Sequence, residues 1–187
     1  MKFEGSCSKT STGAGIWIYH TTNNYSKAYS YRFNFQCTNN IVEYEALLLG
    51  FHLLKKLRSQ RITVHGNVEL VIRQVNEECM VKHPRLRAYK DDAMDFFKSF
   101  KEFQLTLVPK DQNSFSSGLA LVASTCLRPW ERKKYTIQEK FRPAVPNNKI
   151  YWQAFEGEKQ IEDCPTEDIP SFQEETSPIT DINLSFK

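Results

Sequence analysis

Between Tyr25 and Phe35 apolar and polar residues alternate, with Tyr29, Tyr31, Phe33 and Phe35 on one side and Ser30, Arg32 and Asn34 on the other. That two-residue period is the mark of a half-buried antiparallel strand. Two shorter stretches precede it, Phe3 to Cys7 and Ile16 to Tyr19, separated by the turn-forming run from Ser8 to Gly15, so the opening reads as a three-stranded meander. The period changes at Thr38-Asn39-Asn40. From Ile41 apolar residues fall at 41, 44, 47, 48, 51, 54 and 57, ending in Lys55-Lys56-Leu57-Arg58; this is a helical stripe with cations at its C-terminus. Ile62 to Gly66 predicts a fourth strand and Val68 to Val75 a short helix. Pro84 opens a helix running through Leu86, Tyr89, Ala93, Phe96, Phe97 and Phe100. Phe103 to Val108, stopped by Pro109, predicts a fifth strand, and Leu119 to Cys126 a last helix. The order βββαβααβα implies an α/β fold in which an antiparallel meander leads into parallel crossovers, a mixed sheet flanked by helices.

After Cys126 the pattern loosens. Pro129, Pro143, Pro146, Pro165, Pro170 and Pro178 interrupt every candidate element, and from Glu156 onward little is apolar enough to bury. Tyr135-Thr136-Ile137 and Ile150-Tyr151-Trp152 are expected to form short strands or to dock on the domain. The organisation expected is therefore a domain over residues 1–126 and a partly ordered tail over 127–187, within a chain of 187 residues. Charge divides along the same line. Net charge is +5 over 1–126, +5 over 127–152 and −7 over 153–187, so the overall +3 describes no part of the molecule. No apolar run is long enough to span a bilayer and the first residues lack a secretory signal, which predicts an intracellular protein, cytoplasmic or nuclear, with no membrane association. Cys7, Cys37, Cys79, Cys126 and Cys164 are an odd set without a Cys-x-x-Cys pair, read as unpaired thiols.

Chemistry is expected where strands finish and helices begin: Glu4-Gly5-Ser6, Thr38 to Glu43, Gly66-Asn67, and Asn113 to Ser117. Taken alone these positions have plain structural explanations. Glu43 stands three residues after Asn40 and would close a capping box with Asn40 as N-cap, and Glu4 would be an exposed strand residue.

Five stretches occur in an order that changes this reading. They are Phe3-Glu4-Gly5-Ser6, Gly13-Ala14-Gly15-Ile16, Cys37-Thr-Asn-Asn-Ile-Val-Glu-Tyr-Glu-Ala-Leu-Leu-Leu-Gly50, His65-Gly-Asn-Val-Glu-Leu-Val71 and His83-Pro-Arg-Leu-Arg-Ala-Tyr89. Together they resemble the ribonuclease H domain of plant gypsy-type LTR retrotransposon polyproteins over residues 1–126. Tyr135 to Phe155 is similar to the connector that follows that domain. The resemblance implies a ribonuclease-H-like five-stranded mixed sheet. It also implies hydrolysis of the RNA strand of an RNA–DNA hybrid by two Mg²⁺ held about 4 Å apart. The family supplies four carboxylates for this, at the positions of Glu4, Glu43, Asn67 and Ser117.

Only Glu43 matches. Glu4 keeps the charge but adds a methylene, Asn67 loses the charge, and Ser117 loses charge and reach; Val68 replaces a serine, and the loop from Pro109 to Gly118 lacks a histidine. Two carboxylates in place of four leave Glu4 and Glu43 to hold Mg²⁺ weakly at best. Glu69 and Asp111 are the available replacement ligands, Glu69 expected to point elsewhere and Asp111 to sit in a loop. The expectation is a pseudo-ribonuclease H that binds RNA–DNA hybrid or RNA. In the family, contacts equivalent to Thr38, Asn39 and Asn40 touch the hybrid, and basic segments at 55–61, 82–87 and 127–152 suit phosphates. The acidic tail is expected to fold on the basic surface or to engage a protein partner. The alternatives are an active Mg²⁺-dependent hybrid ribonuclease with an altered site, and a polyprotein fragment without function whose first strand is shortened.

Overall fold

Gly13 and Gly15, expected in a turn, lie inside a strand. A computed structural model describes residues 1–8, 11–126 and 137–148, and in it the meander consists of β1 (Lys2–Cys7), β2 (Thr12–His20) and β3 (Tyr25–Phe33). α1 (Asn39–Lys56), β4 (Arg61–Gly66), α2 (Glu69–Val75), α3 (Pro84–Lys98), β5 (Glu102–Leu107) and α4 (Ser114–Thr125) follow, then β6 (Ile137–Lys140). The strands form one sheet in the order β5-β4-β1-β2-β3-β6. β2 runs antiparallel to β1 and β3, while the pairs β1/β4, β4/β5 and β3/β6 are parallel. The mixed α/β architecture is the expected one, with a sixth strand added at the β3 edge. Ile150-Tyr151-Trp152 and the acidic stretch lie outside the described residues.

The two glycines explain the early start of β2. A Cβ on Gly15 would lie 2.1 Å from the Ser116 carbonyl oxygen and one on Gly13 2.8 Å from the Ala123 Cβ. The strand is thus bare where α4 crosses it. Ala14 and Ile16, pointing to the other face, are fully buried in the core beneath α1. Both faces of the sheet are covered, so β3 departs from simple alternation: Ser30 is buried and donates to the Leu119 carbonyl at 3.2 Å, and Arg32 Nε donates to the Ala123 carbonyl at 3.0 Å.

α1 is buried nearly all round. Tyr44, Leu47, Leu48, Phe51 and Leu54 of the predicted stripe are buried, but so are Val42, Ala46 and Leu49. The cause is that α1 lies between the sheet and α3, with Phe51 against Phe96 and Phe100 (ring centroids 5.8 and 6.0 Å) and Tyr44 against Tyr89 (5.9 Å). α4 begins five residues before the apolar residues that predicted it, because a 3₁₀ turn at Lys110–Asn113 feeds directly into a first turn of serines, weak helix formers that give no sequence signal. Past β6 the chain returns to the helical layer: Val145 is fully buried, and Arg85 donates to the carbonyls of Val145 and Pro146. Cys7, Cys37 and Cys126 are free. Cys79 is buried.

Candidate functional site

β1 supplies Glu4 and Gly5, and α1 brings Glu43 up to them. The N-cap of α1 is Thr38, not Asn40: its Oγ1 accepts from the Ile41 N–H at 3.3 Å. With the cap two residues earlier, no capping box forms at Glu43, and its Oε2 instead accepts the Gly5 N–H at 2.7 Å. Gly5 is required for this approach, since a Cβ there would sit 2.8 Å from the Val42 carbonyl carbon. Thr38 is thus committed to capping, Asn40 is buried, and Asn39 is the exposed member of the three.

Two asparagines reach Glu4, one from just past the C-terminal end of β4 and one from the start of α4. Asn67 Nδ2 donates to Glu4 Oε1 at 3.3 Å. Asn113, with no exposed surface, points its Nδ2 at Glu4 Oε2 (3.0 Å), at Asn67 Oδ1 (2.6 Å) and at the Phe3 carbonyl (2.8 Å). Ser117 turns away, its Oγ donating to the Asn113 carbonyl at 3.1 Å. Asn67 thus bonds Glu4 directly and Glu43 bonds the N–H of the neighbouring Gly5, whereas the Ser117 hydroxyl bonds only the Asn113 backbone carbonyl. Asn113 opens a segment where chemistry was expected, but no part at Glu4 was assigned to it. The only sequence signal for it is its place four residues before Ser117 at a helix start.

Burial pushes the Glu4 carboxyl above its ordinary range, opposed by hydrogen bonds from Asn67 and Asn113 and by the nearby Lys110 ammonium. Asn113 Oδ1 is buried without a hydrogen-bond partner. Both Glu4 oxygens face amide N–H groups, and one of these, from Asn67, stands at a position where the resemblance implies a carboxylate, so a cation approaching Glu4 would meet positive hydrogens. Among the described residues no group of three or more His, Cys, Asp or Glu side chains is placed to hold a metal ion. Glu69 pairs with Arg73 at 3.4 Å, and Asp111 is exposed in the 3₁₀ turn; neither reaches Glu4. The residues present do not fit a pair of Mg²⁺ ions.

A family described as reverse transcriptase-like matches residues 2–123. This chain belongs to the reverse transcriptase-like family. RNase H1 of the halophilic archaeon Halobacterium salinarum superposes on this family member with a TM-score of 0.61 at 22% identity, over 65% of this chain and 93% of that one. LC11-RNase H1, solved in complex with an RNA/DNA hybrid, gives 0.57 at 21% identity over 66% and 94%. At such identities the likeness is one of fold, which is RNase-H-like. A bifunctional protein of Mycobacterium tuberculosis is 29% identical over 85 residues, 46% of this chain and 23% of that protein. The reverse transcriptase-like chain thus spans about a quarter of the curated relative it matches.

The basic segments of this reverse transcriptase-like domain divide by use. Arg85 is engaged with the connector, and Lys55 lies over the Phe100 ring at 4.4 Å. Lys56, Arg58 and Arg61 are exposed at the end of α1 and the start of β4. No helix among the described residues is long and apolar enough to cross a membrane.

Proposed function

We propose that this protein is a degenerate ribonuclease H domain of plant gypsy-type retroelement descent that binds RNA–DNA hybrid or RNA and cleaves it inefficiently or not at all. The observation that carries the reading is the pair of amide hydrogen bonds from Asn67 and Asn113 onto the two oxygens of Glu4. In a working site of this family the carboxylates repel one another and a pair of cations holds them together. Here the Asn67 amide stands in place of one of those carboxylates and bonds Glu4 directly, alongside Asn113, so the site closes on itself.

Loss of two negative charges also lessens repulsion toward a phosphate backbone, so binding without metal becomes easier. Asn39, exposed at the head of α1, and the cations near the end of α1 are the groups available for backbone contact. The acidic residues of 153–187 are a competitor for the same cations or a docking segment for a protein partner.

The deciding experiment incubates the full chain with an RNA–DNA hybrid in Mg²⁺ or Mn²⁺. The expected outcome is salt-sensitive binding with no cleavage above background. Robust cleavage that Glu43→Gln abolishes would establish an active hybrid ribonuclease instead. A chain that neither binds nor cleaves would be a fragment without this activity.

A further inference from the structure

Next to the Glu4 cluster lies a group of aromatic rings that neither the core nor the cluster uses. In the β1/β2 register Lys2 stands opposite Trp17 and Glu4 opposite Gly15, and residues opposite one another point to the same face of a sheet. Lys2, Glu4 and Trp17 therefore share the face that α4 crosses. The first turn of α4 sets Phe115 edge-on against Trp17, centroids 5.4 Å apart at 66°, and leaves it 48% exposed. Tyr19, two residues further along β2, is 6.2 Å from Trp17 and 43% exposed. Lys2 Nζ sits 5.8 Å from the Trp17 ring centroid, and Lys110 is exposed in the turn before α4.

We propose that Trp17, Phe115 and Tyr19, flanked by Lys2 and Lys110, form a stacking platform for unpaired bases of a single-stranded nucleic-acid segment entering beside the Glu4 cluster. The inference rests on the nucleic-acid reading above and extends it to a strand end or overhang. Aromatic faces bordered by cations are what a single strand requires, since any base offers a π-face and each phosphate a charge. A protein partner is the less favoured occupant, because the other exposed apolar residues of α4, Leu121 and Val122, lie further along the helix rather than beside Phe115. Stacking would also replace anchoring that the family obtains from metal at the reacting phosphate.

The test measures binding of the full chain, in EDTA, to a fluorescent blunt RNA–DNA hybrid and to the same hybrid with a short single-stranded overhang. The overhang probe is expected to bind about tenfold more tightly. Phe115→Leu should remove that preference and Phe115→Tyr retain it, with melting temperatures confirming that both variants fold. Equal binding of the two probes, or a preference that survives Phe115→Leu, overturns the platform while leaving the nucleic-acid reading in place. If neither probe binds, the nucleic-acid reading fails and the platform with it. Self-association of the chain that Phe115→Leu abolishes, without an overhang preference, would assign the patch to a protein contact and overturn the proposal.

Discussion

Tyr89 donates a 2.5 Å hydrogen bond to Glu45 Oε1, and the same oxygen accepts the Ala144 N–H at 2.8 Å. A carboxylate only 2% exposed, carried by α1, thus joins α3 to the segment that follows β6. Glu45→Ala leaves the hydroxyl and the amide without their acceptor and is expected to lower stability by about 1.5–3 kcal/mol. Ending the chain after Cys126 removes β6 and Val145 as well and should lower the melting temperature further. An unchanged melt for the shortened chain would show that residues 137–148 add nothing to the folded unit.

The same residue makes a prediction about pH. Burial raises the Glu45 carboxyl above its ordinary 4.5, and Glu4 is raised for the same reason. In the window between 4.5 and those raised values the unfolded chain releases protons that the folded chain retains. Stability should therefore fall as pH rises through that window, with the loss complete above it. Glu45→Gln can keep a carbonyl oxygen under Tyr89 and Ala144 but does not titrate. Melting curves across the acidic to neutral range should be flatter for this variant; an identical profile would remove Glu45 as a source of the pH dependence.

Restoring the family carboxylates should make folding depend on metal. The combined change Glu4→Asp, Asn67→Asp and Ser117→Asp replaces the Asn67 amide donor by a like charge, adds another at 117, and is expected to destabilise the metal-free protein by about 1–3 kcal/mol. Mg²⁺ at ~10 times its dissociation constant would return about 1.4 kcal/mol, a rise of ~5 °C in a domain of this size. The native sequence should show no such rise. An equal Mg²⁺ shift in the native chain would mean that Glu4 and Glu43 already hold the ion.

Two glycines under and within α4 should respond in opposite directions. Gly15→Ala places a methyl 2.1 Å from a backbone oxygen, so α4 must lift from the sheet, at a cost of about 3 kcal/mol or more. Gly118 lies mid-helix with nothing within 4 Å of an added Cβ, and Gly118→Ala should stabilise by about 0.5–1 kcal/mol. Thermal melts of the two variants check the pair; a neutral Gly15→Ala would contradict the close approach.

The strands and helices that announce themselves by period were legible in the residues alone. Tyr25 onward, the stripe from Tyr44 to Leu54, and the Pro84 helix all occur where hydrophobic spacing indicates. What was not legible depends on a second surface. The glycines of β2 look like a turn until α4 lies across them, and the serines opening α4 carry no period. At the site, the resemblance pointed to Glu4 and Asn67, which do meet, but not to Asn113 as the residue that binds both. A buried asparagine that joins two side chains distant in sequence has no local signature. Thr38 rather than Asn40 caps α1 for a similar reason: either can cap, and the Glu43 bond to Gly5 decides between them.

The pairing of β6 with β3 covers the backbone of Ser30 to Phe33 along the outer edge of the sheet. Without that strand, the outward-facing N–H and C=O groups of this stretch, which carries Tyr31 and Phe33, would be open at the sheet edge, ready to template another copy of the chain. The connector thereby acts as a guard against intermolecular β-pairing. Proteolytic nicking between Cys126 and Ile137 would matter less for the fold's topology than for the solubility of what remains.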